Sequence, residues 1–328
     1  MNTLRQAAHE YLAMRRSLGF KLRRVAPRLI DFVTFMEQQQ APYITVPLAL
    51  AWAKQPADAQ LATWAQHLSF VRSFARYRRA TDPRTEVPPG ELLPFRPKRA
   101  RPYLYSDREI CELLRAAPKL QREGLQPDTY YCLLGLLSVS GMRVGEVRNL
   151  QLQDVDLKER VLTIRGAKFG KDRLVPLHPS SCRVLARYLE RRQRLWATRP
   201  VSNFLFVSSR GNRLDDGDIR RTFYAISRQI GLRGPTDRGG PRLHDLRHRF
   251  ASLTLLRWYR AGEDPERRLP ALATYLGHVH WSDTYWYLSA LPGLMREAVS
   301  RLERHWEQRP CAPVPIWRRS WSGSSPAA

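Results

Sequence analysis

The chain has 328 residues, enough for about two domains, and its 43 % apolar content excludes wholesale disorder. Lys and Arg total 55 against 30 Asp and Glu, a net charge of +25, which points to a polyanionic partner because neutralising phosphates releases counterions. No apolar run reaches the ~18 residues of a membrane span, the N-terminus lacks a signal-peptide core, and Cys111, Cys132, Cys182 and Cys311 form no CxxC pair; membrane insertion, secretion, a disulfide framework and a cysteine metal site are therefore not expected.

The first 80 residues read as a helical bundle. Leu4, Ala8, Tyr11 and Leu12 suggest a first helix. Leu29, Phe32, Val33 and Met36 fall at i, i+3, i+4, i+7 and predict a second over about 25–39. Residues 47–54 suggest a short third helix, and Leu61, Trp64, Leu68, Val71 and Ala75 a fourth. On the far side of that fourth helix Arg72, Arg76 and Arg79 recur at i, i+4, i+7, a basic stripe suited to DNA. Residues 81–105 then carry six prolines mixed with Arg96, Lys98, Arg99 and Arg101. This predicts an extended basic linker able to follow a phosphate backbone.

Ser106-Asp-Arg-Glu109 matches a capping box. Residues 129–139 predict a buried helix, and 161–164 and 173–176 two short strands with Gly166 and Gly170 marking their turn. Residues 244–260 and 293–306 predict further helices, and beyond 308 the chain reads as a loose tail. The expected fold is mainly α with a small β-sheet. Its expected parts are a helical domain over 1–80, the linker 81–105, a mixed α/β domain over 106–308 and the tail 309–328.

Four segments carry chemistry. In Ser140-Gly-Met-Arg143-Val-Gly-Glu146, Arg143 and Glu146 share a helix face, so the carboxylate can orient the guanidinium. The turn from Arg165 to Pro176 holds Lys168 and Lys171, two of only 7 lysines against 48 arginines. A lysine can release a proton and an arginine cannot, so a lysine there suits proton donation as well as an ordinary basic turn touching phosphate, which this segment alone favours. In Pro241-Arg-Leu-His244-Asp-Leu-Arg247-His248, His244 and Arg247 share the first turns of a helix, where backbone N–H groups favour an anion. The fourth segment runs from Leu276-Gly-His278 to Tyr287. A zinc site built from His244, His248, His278 and His280 is set aside, because HExxH is absent and the flanking arginines repel a cation.

Together these segments resemble the catalytic motifs of the tyrosine recombinases, the phage-integrase family. The order is an arginine in GxRxxE, a lysine in a hairpin ending RLVPL, an HxxR pair opening a helix, and LGH followed nine residues later by tyrosine. Ala167-Lys168-Phe169 stands where glycine-lysine-glycine is more usual, and the tail is longer than in simple members. Residues 1–80 resemble the family's core-binding domain, and 106–308 its catalytic domain.

The resemblance implies a site-specific recombinase that cuts and rejoins double-stranded DNA through a 3′-phosphotyrosine and a Holliday junction, with no metal or other cofactor. By that resemblance Tyr287 attacks the phosphate, His244 is the base, Arg143 and Arg247 clamp the non-bridging oxygens, Lys168 protonates the leaving 5′-oxygen, His278 donates to the phosphate and Glu146 supports the arginines. Tyr285 reads as a packing residue. Arg72, Arg76, Arg79, Arg96, Lys98, Arg99, Lys171 and Arg173 are the expected DNA contacts. The resemblance also implies a clamp hinged at the linker and a homotetramer on DNA, alone or with sister recombinases, each protomer's C-terminal helix (Met295, Val299, Leu302) packing on its neighbour.

No separate arm-binding domain is expected, which favours a simple-type enzyme, cytoplasmic and nucleoid-associated in a bacterium; the unusual tail and the altered lysine turn favour a mobile-element recombinase over a chromosome-dimer resolvase. A type IB topoisomerase fits less well because of LGH and the N-terminal helices. An inactive DNA-binding regulator fits less well because every catalytic position is filled by a usable side chain, and no motif supports an RNA-binding scaffold.

Overall fold

The computed structural model describes residues 3–93, 101–120, 122–166, 172–237, 239–278, 280 and 282–289, with 296, 297, 299, 300 and 303 beyond them. Lys168, Lys171, Arg96, Lys98, Arg99, Met295, Leu302 and the tail lie outside the described residues. The chain divides into two units, Met1–Ala100 and Arg101–Ala328, parted within the proline-rich segment.

The first unit holds helices α1 (Leu4–Ser17), α2 (Val25–Gln38), α3 (Val46–Lys54) and α4 (Leu61–Arg79). Thr3 and Thr45 cap α1 and α3 through their hydroxyls, and Pro47 sits in the first turn of α3, where its missing N–H costs nothing. Leu29, Phe32, Val33 and Met36 are fully buried with Trp52, Leu68, Val71 and Phe74, each such side chain contributing about 1.5–3 kcal/mol. Leu61, expected in the α4 stripe, is exposed instead; burial on α4 begins at His67 and Leu68.

The proline-rich segment is not free over its whole length. Asp82 and Thr85 are buried, and Val87, Leu92 and Leu93 pack on this unit's core. Arg72 donates to the carbonyls of Pro88 (2.7 Å) and Pro89 (2.8 Å). Prolines lack donors but keep acceptors, so one guanidinium can bind an extended proline pair. Arg72, half-exposed, therefore holds residues 88–89. Arg76 and Arg79 are exposed on α4.

In the second unit, α5 (Asp107–Ala116) starts on the reciprocal Ser106–Glu109 capping box. Helix α6 (Gln126–Ser140) is buried nearly all round and ends at Gly141 in the left-handed conformation. After α7 (Val144–Asn149) come β1 (Val155–Asp156), β2 (Val161–Ile164) and β3 (Arg173–Pro176), antiparallel in that order with Leu162 opposite Val175 and Ile164 opposite Arg173. Helices α8 (Pro179–Leu195), α9 (Asp216–Gln229), α10 (Leu243–Arg260), α11 (Pro265–Leu276) and α12 (Ser282–Ser289) follow.

The main core gathers Leu133, Leu137, Leu162, Val175, Phe206 and Phe223. A smaller cluster of Ala251, Leu255, Leu269, Leu272, Leu276 and Tyr287 joins α10, α11 and α12. In the expected C-terminal helix, residues 296, 297, 299, 300 and 303 are helical and Val299 is exposed. No described helix is long and apolar enough to cross a membrane.

Candidate active site

The end of α11 organises the site. A helix leaves its last carbonyls without intrahelical partners, and its dipole makes that end negative. Gly277 takes φ +67°, turning the chain so that three successive carbonyls point at three arginines. Tyr275 O accepts from Arg173 Nε (2.8 Å), Leu276 O from Arg247 Nη2 (2.7 Å) and Gly277 O from Arg143 Nη2 (3.0 Å). A Cβ on Gly277 would fall 2.9 Å from Arg173 Nη1, so glycine is needed for space as well as for φ.

Glu146 ties two of these arginines together from the third position of α7. It accepts from the Arg143 backbone N–H (2.8 Å) and Nη1 (2.8 Å), and from Arg173 Nη1 (3.0 Å) and Nη2 (2.7 Å). Burial alone would raise its pKa, but the bonds from Arg173 and Arg143 outweigh burial and pull it to about 2. Arg173, expected to touch DNA, is only 10 % exposed and spends its guanidinium on Glu146 and Tyr275. It is a buried anchor for Arg143, because strand β3 delivers it to the inner side of the carboxylate. Arg143 remains 28 % exposed, beside a cavity of about 560 Å³ bounded by Asn149, Gln151, Thr163, Arg165 and Arg213.

Helix α10 brings the next groups. Arg247, 1 % exposed, donates from Nη1 to Gly141 O (2.8 Å) and lies 2.9 Å from His278 Nε2 through Nη2. Arginine can only donate, so His278 Nε2 accepts and its proton sits on Nδ1, facing Thr284 Oγ1 at 2.8 Å. Burial, then Arg247 and Arg143, pushes the His278 pKa down to about 4. The pKa of His244 is lowered by the packing around its ring and then by Arg247, although one side of it reaches solvent.

Gly141 gives a stability prediction: its φ is +60° and a Cβ there would lie 2.5 Å from the Phe250 ring. Gly141→Ala is expected to lower unfolding stability in urea by about 2–3 kcal/mol. A loss below about 0.5 kcal/mol would show that Phe250 yields.

Tyr287 completes the group. It is 3 % exposed, its ring stacked on His278 (6.0 Å between centroids, 12°) and edge-on to His248 (5.2 Å, 61°). Its hydroxyl is near enough to Arg247 to act on that guanidinium electrostatically. Tyr285, read as a packing residue, is 39 % exposed; α12 turns it outward while Tyr287 turns in. Arg143, Glu146, His244, Arg247, His278 and Tyr287 thus converge, whereas Lys168 lies outside the described residues.

The HxxR pair on α10 and the LGH at the end of α11, read as recombinase motifs in the sequence, thus meet at the buried Tyr287. The family model "Phage integrase family" matches residues 106–292, more than half of the chain. The chain belongs to the phage integrase family.

Its relatives are named as integrases or recombinases. A Sinorhizobium fredii protein named "Putative integrase/recombinase y4rB" is 62 % identical over 94 % of this chain and 100 % of its own. The tyrosine recombinase XerC of Thermodesulfovibrio yellowstonii is 33 % identical over 69 % of this chain and 70 % of its own. Among solved structures, the Tn1549 transposon integrase with circular intermediate DNA covers 93 % of this chain and 100 % of its own at a TM-score of 0.63 and 16 % identity, a likeness of fold. This phage integrase family member is an enzyme of the tyrosine-recombinase type with the expected mainly helical fold and small sheet.

Sequence reasoning missed the anchoring role of Arg173 and the part of Thr284 in setting the His278 tautomer. The only local signal for Arg173 was its permanently charged side chain at a strand end that otherwise reads as apolar. Thr284 gave none, since a threonine in a helix ordinarily bonds its own backbone.

Proposed function

We propose that the chain cuts and rejoins double-stranded DNA at a specific site, with Tyr287 forming a 3′-phosphotyrosine bond and strands exchanging through a Holliday junction. The observation that carries this reading is Tyr287 buried against His278 and beside Arg247, with Arg143 bound to the same helix end. A phenol of pKa about 10 is a weak nucleophile at neutral pH and needs a base and a positive field. His244, its pKa lowered, is unprotonated at neutral pH and so able to accept the phenolic proton.

Arg143 and Arg247 supply the field to the non-bridging oxygens, each such donor worth on the order of a hundredfold in rate. His278 accepts from Arg247 in the free chain; a bound phosphate anion raises its pKa and turns it into a donor. Lys168 protonates the departing 5′-oxygen. The ester energy is kept in the phosphotyrosine, so resealing needs no nucleotide.

The net charge of +25 and the exposed Arg76 and Arg79 supply backbone affinity. In this reading four protomers act together through their C-terminal helices. The integrase/recombinase name of the Sinorhizobium relative supports service to a mobile element.

The test incubates the protein with nicked fragments from the flanks of its own gene and maps the covalent adduct by peptide mass spectrometry. The expected adduct is on Tyr287 and is absent from Tyr287→Phe, which still binds DNA. An adduct on Tyr285 overturns the nucleophile assignment. Relaxation of supercoiled DNA lacking any such site overturns site-specific recombination.

A further inference from the structure

His248 has no part in the chemistry above, yet it touches two groups that do. It lies one turn after His244 on α10, and i, i+4 spacing brings their rings together edge to face on one helix face. The two centroids are 4.9 Å apart with the planes at 89°. Its other side meets Tyr287 edge-on at 5.2 Å. Tyr287 is thereby held between two imidazoles, His278 against its face and His248 against its flank.

The two imidazoles are held differently. His278 is fixed by hydrogen bonds through both nitrogens, to Arg247 and Thr284. His248 Nδ1 is buried with no hydrogen-bond partner among the described residues. What His248 contributes at this contact is therefore the shape of a flat ring, since no hydrogen bond to Nδ1 from the described residues aims it. Burial and the neighbouring His244 also keep it uncharged at neutral pH, with a pKa pushed down to about 4, so it places no repulsive charge beside Arg247.

We propose that His248 is a positioning residue that holds the Tyr287 ring in the site by packing of its imidazole, and through that contact sets the rate at which Tyr287 reacts. The effect on rate rests on Tyr287 being the nucleophile; the packing does not. The tyrosine is carried on α12, a helix of 8 residues, so its placement depends on what α10 presents to it. A displacement of about 1 Å of a reacting group can cost on the order of a hundredfold in rate.

The experiment has two arms on the full chain. In the first, wild type, His248→Ala and His248→Phe are nitrated with tetranitromethane, and peptide mass spectrometry compares Tyr287 with the exposed Tyr285 as internal standard. His248→Ala is expected to raise the Tyr287-to-Tyr285 ratio several-fold, and His248→Phe to leave it at the wild-type value. An unchanged ratio in His248→Ala overturns the proposal, as does a raised ratio in His248→Phe. Should His248→Ala be unfolded at the assay temperature, His248→Leu, which keeps volume but not the flat ring, takes its place with the same expectations.

In the second arm, single-turnover adduct formation at saturating DNA is expected to slow about 10- to 50-fold in His248→Ala and less than about threefold in His248→Phe, with DNA affinity unchanged. A His248→Phe as slow as His248→Ala would mean that the ring nitrogens are needed and packing is not the role. The nitration arm reads the placement of the tyrosine whatever reaction it serves. A changed ratio without any wild-type adduct therefore counts against the proposed reaction and leaves the positioning role standing.

Discussion

Arg247→Lys is expected to slow strand cleavage by on the order of a hundredfold while changing DNA affinity little. The charge survives, so the loss isolates geometry. One planar guanidinium reaches Gly141 O at 2.8 Å, Leu276 O at 2.7 Å and His278 Nε2 at 2.9 Å. A lysine ammonium is a point donor and cannot span these positions from one place. At least one buried carbonyl is left unpaired, which also lowers unfolding stability by about 2–4 kcal/mol. Because Arg247 is 1 % exposed, it adds little to the surface potential that draws DNA. Single-turnover cleavage, a filter-binding isotherm and urea unfolding measure the three effects. Cleavage within tenfold of wild type would remove Arg247 from the reacting centre.

Glu146→Gln is expected to lower stability at pH 7 by about 3–5 kcal/mol, because it leaves the buried Arg173 guanidinium without its counter-charge. The pH dependence carries the sharper signature. The Glu146 carboxyl is held at about 2 against an ordinary 4.5, so the native state favours the ionised form. A depressed carboxyl stabilises fully above its unfolded pKa, and that contribution disappears as pH falls from about 4.5 to 2; for a shift of this size it is on the order of 3 kcal/mol. The unfolding curves of wild type and the Glu146→Gln variant should therefore converge as the solution is acidified through this window. A stability gap that stays constant from pH 7 to pH 2.5 would show that the carboxylate's charge is not what holds the two arginines.

Much of the fold could be read locally. The stripe Leu29, Phe32, Val33, Met36 emerged as the buried face of α2, since four residues at helical spacing must face the same way. The strands 161–164 and 173–176 appeared at the expected bounds, because short β-branched runs around a turn have few other outcomes. Helix α8 went unseen. Its buried Leu185, Tyr188 and Arg192 are outnumbered by exposed charge, and its third inward position is an arginine whose Nη2 binds the carbonyls of Ser202 and Phe204. In the proline-rich segment, composition does not show that Val87, Leu92 and Leu93 bury apolar surface on the first unit.

The sequence by itself determined which side chains are available to the chemistry and their order, since a motif is a spacing along one element and spacing is local. It also determined the large positive charge. Only the tertiary structure decided what each arginine is used for. Arg72 and Arg173 looked like surface cations and proved to be bound to carbonyls and a carboxylate, while Arg143 stayed partly open. The partners of Arg72 and Arg173 come from 16 to 102 residues away along the chain. No periodicity encodes such a pairing; it arises when α7, β3, α10 and the end of α11 pack together and the carbonyls that α11 cannot satisfy internally take the nearest donors.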